Sequence, residues 1–155
     1  MTAASRIRPA AILRHAPPML LVDRVTSVRP GERLRASWRV PASWPILAGH
    51  FPGAPIVPGV MLVEAMAQAA GLLAWATEPF ERDRARMYLA AVERARFARP
   101  AGPGDRLAIE VRLGRRRGPF WWFEGSVASG REPVAEAGFT AALYVDGERP
   151  LRRVL

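Results

Sequence analysis

Gly59-Val60-Met61-Leu62-Val63-Glu64-Ala65-Met66-Ala67-Gln68-Ala69-Ala70-Gly71-Leu72-Leu73-Ala74-Trp75-Ala76-Thr77, preceded by Pro58, is the stretch that decides the fold. A proline suits the first turn of a helix, so Pro58-Gly59 reads as its opening. Val60 to Thr77 then spans roughly 27 Å at the standard helical rise. Its surface is apolar nearly all round, so the helix should be wrapped on most sides. The length raises the question of a membrane span. Glu64 and Gln68 inside the run, and the charged segment from Glu78 to Arg86 behind it, favour a buried central helix. No membrane association is expected.

The flanking sequence supplies the wrapping. From Arg33 to Val40 the residues alternate, with Leu34, Ala36, Trp38 and Val40 on one face and Arg33, Arg35, Ser37 and Arg39 on the other. That period of two describes a half-buried strand. Met19 to Val25 is a short apolar run, a strand or the lead-in to one, and Pro30-Gly31 is a turn. Pro41 to Pro58 holds five prolines and two glycines, which predicts a structured loop without regular elements. After the helix, Met87 to Ala95, Leu107 to Leu113, Phe120 to Ala128 and Val134 to Val145 read as strands. Turns fall at Pro100 to Gly104, at the basic run Arg115-Arg116-Arg117-Gly118-Pro119, and at Gly130 to Pro133. A long antiparallel sheet curled around a central helix is the α+β solution this order asks for. An open sheet leaves an edge, and dimerisation by edge pairing is a common remedy. The expectation is a single domain over 1–155, with a core at about 12–146 and flexible tails, Arg149 to Leu155 among them.

Composition excludes several classes. Half of the 155 residues are hydrophobic and 24% are charged, ordinary for a globular chain. With no cysteine, neither disulfides nor thiolate metal sites exist, and a reducing, cytoplasmic location is compatible. The first dozen residues lack the apolar segment of a secretory signal. Two histidines leave too few ligands for a metal site, and no Gly-rich phosphate loop or nucleophile elbow is present. No metal or cofactor is expected. The net charge of +9 is carried by arginine alone, dispersed and without a nucleic-acid motif. A basic surface instead attracts an acidic partner.

Chemistry concentrates around the helix start. Gly49-His50-Phe51-Pro52-Gly53 puts one of two histidines in a Gly/Pro-rich turn, and Glu64 is a lone carboxylate in an apolar helix. A buried carboxylate costs free energy unless it is paired or used, and burial alone pushes its pKa upward. A histidine beside a glutamate is a minimal kit for moving protons near neutral pH. Gln68 lies one helical turn after Glu64, in a supporting position. His15 reads as structural, because no carboxylate adjoins it in a suitable turn. Asp23 and Arg24 read as a strand-end pair, and Phe51, Met61, Trp75, Tyr88 and Phe97 as core or tunnel residues.

These segments resemble the FabZ family of 3-hydroxyacyl-[acyl-carrier-protein] dehydratases. Leu13 to Val25 is similar to the family's L-P-H-R-Y-P-F-L-L-V-D-R-V, Gly49 to Gly53 to its G-H-F-P-G, and Pro58 to Gly71 to its P-G-V-L-I-I-E-A-M-A-Q-A-A-G. Glu93 to Pro100, with Pro103-Gly104-Asp105, is similar to D-K-A-R-F-K-R-P and P-G-D. Arg14 and Ala16-Pro17 depart from the first motif, and Trp121-Trp122-Phe123 is bulkier than the family's segment. The resemblance implies the hotdog fold and dehydration of a 3-hydroxyacyl thioester on an acyl carrier protein. It makes His50 the base at C2 and Glu64 the group that protonates and expels the C3 hydroxyl. The Gly59 N–H, at the positive end of the helix, would receive the thioester carbonyl oxygen. Phe51, Val60 and Gln68 would line the substrate site, and Tyr88 resembles the family's aromatic gate to the acyl tunnel. Arg94, Arg96 and Arg99 are the candidates for contacting the acidic carrier. The family's His and Glu come from opposite subunits, implying a homodimer or a higher oligomer such as a trimer of dimers. A thioesterase on the same fold and a non-catalytic partner subunit are the alternative readings.

Overall fold

Strands whose alternate residues are large and apolar can close over a helix only if one sheet curls around it, and that is the arrangement found. The computed structural model describes residues 3–145. A 3-10 turn, Ala3–Arg6, and a short helix α1, Pro9–Ile12, lead to strands β1 (Arg24–Arg29) and β2 (Arg33–Arg39). A short helix α2 (Pro45–Gly49) precedes the long helix α3 (Gly59–Thr77). Strands β3 (Ala85–Phe97), β4 (Arg106–Arg117), β5 (Phe120–Ser129) and β6 (Glu132–Val145) follow. They form one antiparallel sheet in the order β1-β2-β4-β5-β6-β3. This is the hotdog fold.

The predicted period of two is what builds the core. Leu34, Ala36 and Trp38 of β2 lie opposite Val111, Ile109 and Leu107 of β4, and all six are buried. Trp121, Phe123 and Val127 of β5 continue the same inner face. Against it α3 presents Leu62, Ala65, Met66, Ala69, Ala70, Leu72 and Leu73, also buried. Each fully buried large side chain contributes about 1.5–3 kcal/mol relative to exposure. The alanines let the helix axis approach the sheet. Gly125 does the same from the other side, since a Cβ there would stand 2.7 Å from the Met66 sulfur. Among the described residues, α3 is the one helix with the length and hydropathy of a membrane span, and it is this core helix.

Gln68 is 2% exposed, a polar side chain inside the core, and the chain folds around it. Its Oε1 accepts from the Leu21 backbone N–H at 2.8 Å, and its Nε2 donates to the Met19 carbonyl at 2.7 Å. A helix side chain thus satisfies the backbone of 19–21, which has no strand partner of its own. Gln68→Leu keeps the volume and strands both groups. Unfolding in urea should show stability lower by about 2–4 kcal/mol, with the slope unchanged.

The run Met19 to Val25 is a lead-in to β1, to which it contributes its last two residues, the preceding ones being bound by Gln68. Three expectations are corrected. The proline-rich stretch contains a regular element after all, because Pro45 sits in the first turn of α2, where its missing N–H costs nothing. Arg115 to Arg117 are strand, not turn: the β4–β5 hairpin turns at Gly118-Pro119. Arginine stacking explains the extension, with the Arg115 guanidinium 4.2 Å from the Trp122 ring centre and that of Arg116 4.3 Å from Trp121. The N-terminal segment, expected to be a flexible tail, has Ala4, Ile7 and Ile12 buried against the body. The C-terminal tail, Arg149 to Leu155, lies outside the described residues.

Strand β3 is left at the sheet edge, opposite β1. Its Leu89, Val92 and Phe97 are exposed, as is Val60 at the start of α3. A thirteen-residue edge carrying large apolar side chains is the feature that soluble proteins normally cover.

Candidate active site

His50 is the C-cap of α2 and starts a tight loop. The loop is closed by Ile56 N–H donating to the His50 carbonyl at 2.8 Å and Ala54 N–H to the Phe51 carbonyl at 3.0 Å. Val57 N–H then donates to the Ala101 carbonyl at 2.7 Å, tying the loop to the body. The imidazole Nδ1 lies 2.9 Å from the Ile56 carbonyl oxygen. A carbonyl can only accept, so Nδ1 is the donor, and in the neutral ring this tautomer leaves the lone pair on Nε2. The Phe51 ring stacks on the imidazole at 4.2 Å between centres and is otherwise exposed, so it is not a core residue.

Glu64 projects from the second turn of α3. Its Oε1 accepts from Gln68 Nε2 at 2.9 Å and stands 3.1 Å from His15 Nε2. Its Oε2 has no partner among the described residues. Burial is the largest influence on its titration and pushes the pKa up. The hydrogen bonds from His15 and Gln68, with the charge His15 can carry, outweigh it and leave the pKa below the ordinary value. The upward shift expected from burial alone is therefore corrected: in the single chain Glu64 is a carboxylate at neutral pH. His15, read as structural, is with Gln68 responsible. The signal missed was spatial, because His15 and Glu64 are far apart in sequence and meet only once the Gln68 contacts lay 19–21 along α3.

Gly59 is the first residue of α3 and Pro58 offers no side-chain cap; the Met61 N–H donates to the Pro58 carbonyl at 2.9 Å, while the Gly59 N–H, at the positive end of the helix, has no partner among the described residues. A Cβ at Gly59 would stand 2.9 Å from the Phe97 ring, a close approach that itself calls for glycine. Val60 is 71% exposed beside it. Tyr88 is half-buried, its ring 6.2 Å from that of Tyr144. It lines a cavity of about 240 Å³ with Ile12, Leu13, His15, Phe80 and Met87. Arg94 is held by Glu124 at 2.6 Å, whereas Arg96 and Arg99 make no ion pair among the described residues. Asp23 accepts from the Arg39 backbone N–H at 2.7 Å, which makes it a strand-end residue. Within one chain, no hydrogen bond or ion pair joins His50 to Glu64 among the described residues. Nor is there among them a cluster of three His, Asp or Glu that could hold a metal ion.

The chain thus carries a loop histidine, a helix carboxylate with one oxygen unpaired among the described residues, and the N-terminus of the long helix of a hotdog fold. The chain belongs to the FabA-like family, whose domain model matches residues 13–138. It is similar to the 3-hydroxyacyl-[acyl-carrier-protein] dehydratase FabZ of an Anaeromyxobacter species, 45% identical over 134 residues and 85% of each chain. The protein of the same name from Myxococcus xanthus is 42% identical over 132 residues, 85% of this chain and 86% of the other. Among solved structures, a chain of the dehydratase heterocomplex ApeI:P from Xenorhabdus doucetiae superposes with a TM-score of 0.75 at 22% identity, covering 90% of this chain and 92% of that one. That likeness carries the fold alone.

Proposed function

We propose that this protein dehydrates (3R)-3-hydroxyacyl-[acyl-carrier-protein] to the trans-2-enoyl thioester, in fatty-acid or related biosynthesis in the cytoplasm. The observation that carries the reading is the Nδ1–H contact of His50 with the Ile56 carbonyl, which leaves Nε2 as a free base. Nε2 takes a proton from C2, the C3–O bond breaks with its electron pair on oxygen, and Glu64 gives that oxygen a proton, so the leaving group is water. The Gly59 N–H, aided by the helix dipole, stabilises the negative charge on the thioester oxygen. Returning the proton from His50 to Glu64 through solvent restores the starting state.

Glu64 must hold a proton to act, and the resting carboxylate gains one when the site closes. Substrate and a second subunit remove water from a side chain still 25% exposed in the single chain, and burial is already the largest influence on it. The second subunit also brings its own His50 to this Glu64, which makes no hydrogen bond or ion pair with the chain's own His50 among the described residues. The exposed apolar edge of β3, with Val60 and Phe51, supports a homodimer. The cavity beside Tyr88 suits the start of an acyl chain, and Arg96 and Arg99 are the unpaired arginines for an acidic carrier, Arg94 being partly neutralised by Glu124.

The test is product analysis. Incubated with a 3-hydroxyacyl thioester on acyl carrier protein, the protein should form the 2-enoyl thioester with no free acid. Free 3-hydroxy acid and carrier thiol would instead identify a thioesterase.

A further inference from the structure

We infer that His15 is a positioning residue for Glu64: its Nε2 holds Oε1 in place and leaves Oε2 as the oxygen that meets the substrate. The inference rests on the dehydratase reading and names a residue for that same site. Two donors converge on one oxygen, His15 Nε2 at 3.1 Å and Gln68 Nε2 at 2.9 Å, while Oε2 has no partner among the described residues. A carboxylate held so by one oxygen cannot rotate without losing both contacts.

The segment carrying His15 is fixed on both sides. Arg82 Nε donates to the Leu13 carbonyl at 2.9 Å and Arg14 Nη1 to the Asp83 carbonyl at 3.3 Å. Gln68 holds Met19 and Leu21 beyond it. The His15 Nδ1 is buried with no hydrogen-bond partner. Nε2 is therefore the ring nitrogen that makes the contact with Glu64. The groups around the pair are Gln68 on α3, Arg14 on the N-terminal segment, and Arg86 and Tyr88 on β3 across the cavity. Of these charged or titratable side chains, only His15 acts on the titration of Glu64.

The experiment follows the Glu64 carboxyl by NMR titration in the full chain, beside pH profiles of kcat and kcat/KM. In His15→Ala the Glu64 pKa should rise, because burial then has one fewer opponent. The kcat should fall about tenfold with KM little changed, since the carboxylate is no longer held in register. His15→Gln places an amide N–H where Nε2 was and should restore both. His15→Asn, too short to reach Glu64, should behave as alanine and replaces it should the alanine variant not fold. An unchanged Glu64 titration in a folded His15→Ala or His15→Asn protein, or no rescue by His15→Gln, overturns the inference. A wild type forming no enoyl product would defeat the reaction assigned above, and the Glu64 titration would still decide the role of His15.

Discussion

His50→Ala is expected to lower kcat for enoyl formation about a thousandfold, within the range of a lost general base. The expectation follows from how little else the side chain does. Among the described residues its ring makes a single hydrogen bond, to the Ile56 carbonyl, and the loop is closed by backbone bonds that the substitution leaves intact. Loss of that one contact costs about 1 kcal/mol. A melting temperature within a few degrees of the wild type, beside the large loss of kcat in steady-state assays, separates a catalytic role from a structural one. Near-normal turnover would remove His50 from the chemistry.

Glu64→Gln is expected to cost about a hundredfold to a thousandfold in kcat, with the fold retained. The amide keeps an acceptor for His15 and Gln68 but has no acidic proton to give. Its effect on stability has a defined sign. Glu64 has a folded pKa below its ordinary value, so its contribution is present above the ordinary carboxylate range and is lost as pH falls through the folded value. The advantage of the wild type over Glu64→Gln in urea unfolding should therefore shrink on acidification below about pH 4.

The central helix and the strands around it were legible because their patterns are local. A nineteen-residue, largely apolar run and clean alternation at 33–40 and 107–113 report burial directly. Elements that depend on distant partners were not. Arg115 to Arg117 carry turn-like composition, and only the facing Trp121 and Trp122 keep them in a strand. The segment 19–21 is ordered by Gln68, and Ala4 and Ile7 by packing on the body. At the site, the identities of His50, Glu64 and Gln68 stood out from residue type and setting. The His15 contact did not, and together with that of Gln68 it reverses the direction of the Glu64 pKa. Burial can be guessed from an apolar neighbourhood, but a hydrogen bond from a remote segment cannot.

An active site shared by two subunits is the central claim, and mixing two inactive variants tests it most directly. His50→Ala and Glu64→Gln proteins, unfolded together and refolded at equal concentration, should pair at random. Half of the dimers would then hold one of each chain, with one of two sites intact, and roughly a quarter of wild-type dehydratase activity should return. No recovery from a mixture shown to contain mixed dimers would place both residues in one subunit's site and contradict the account.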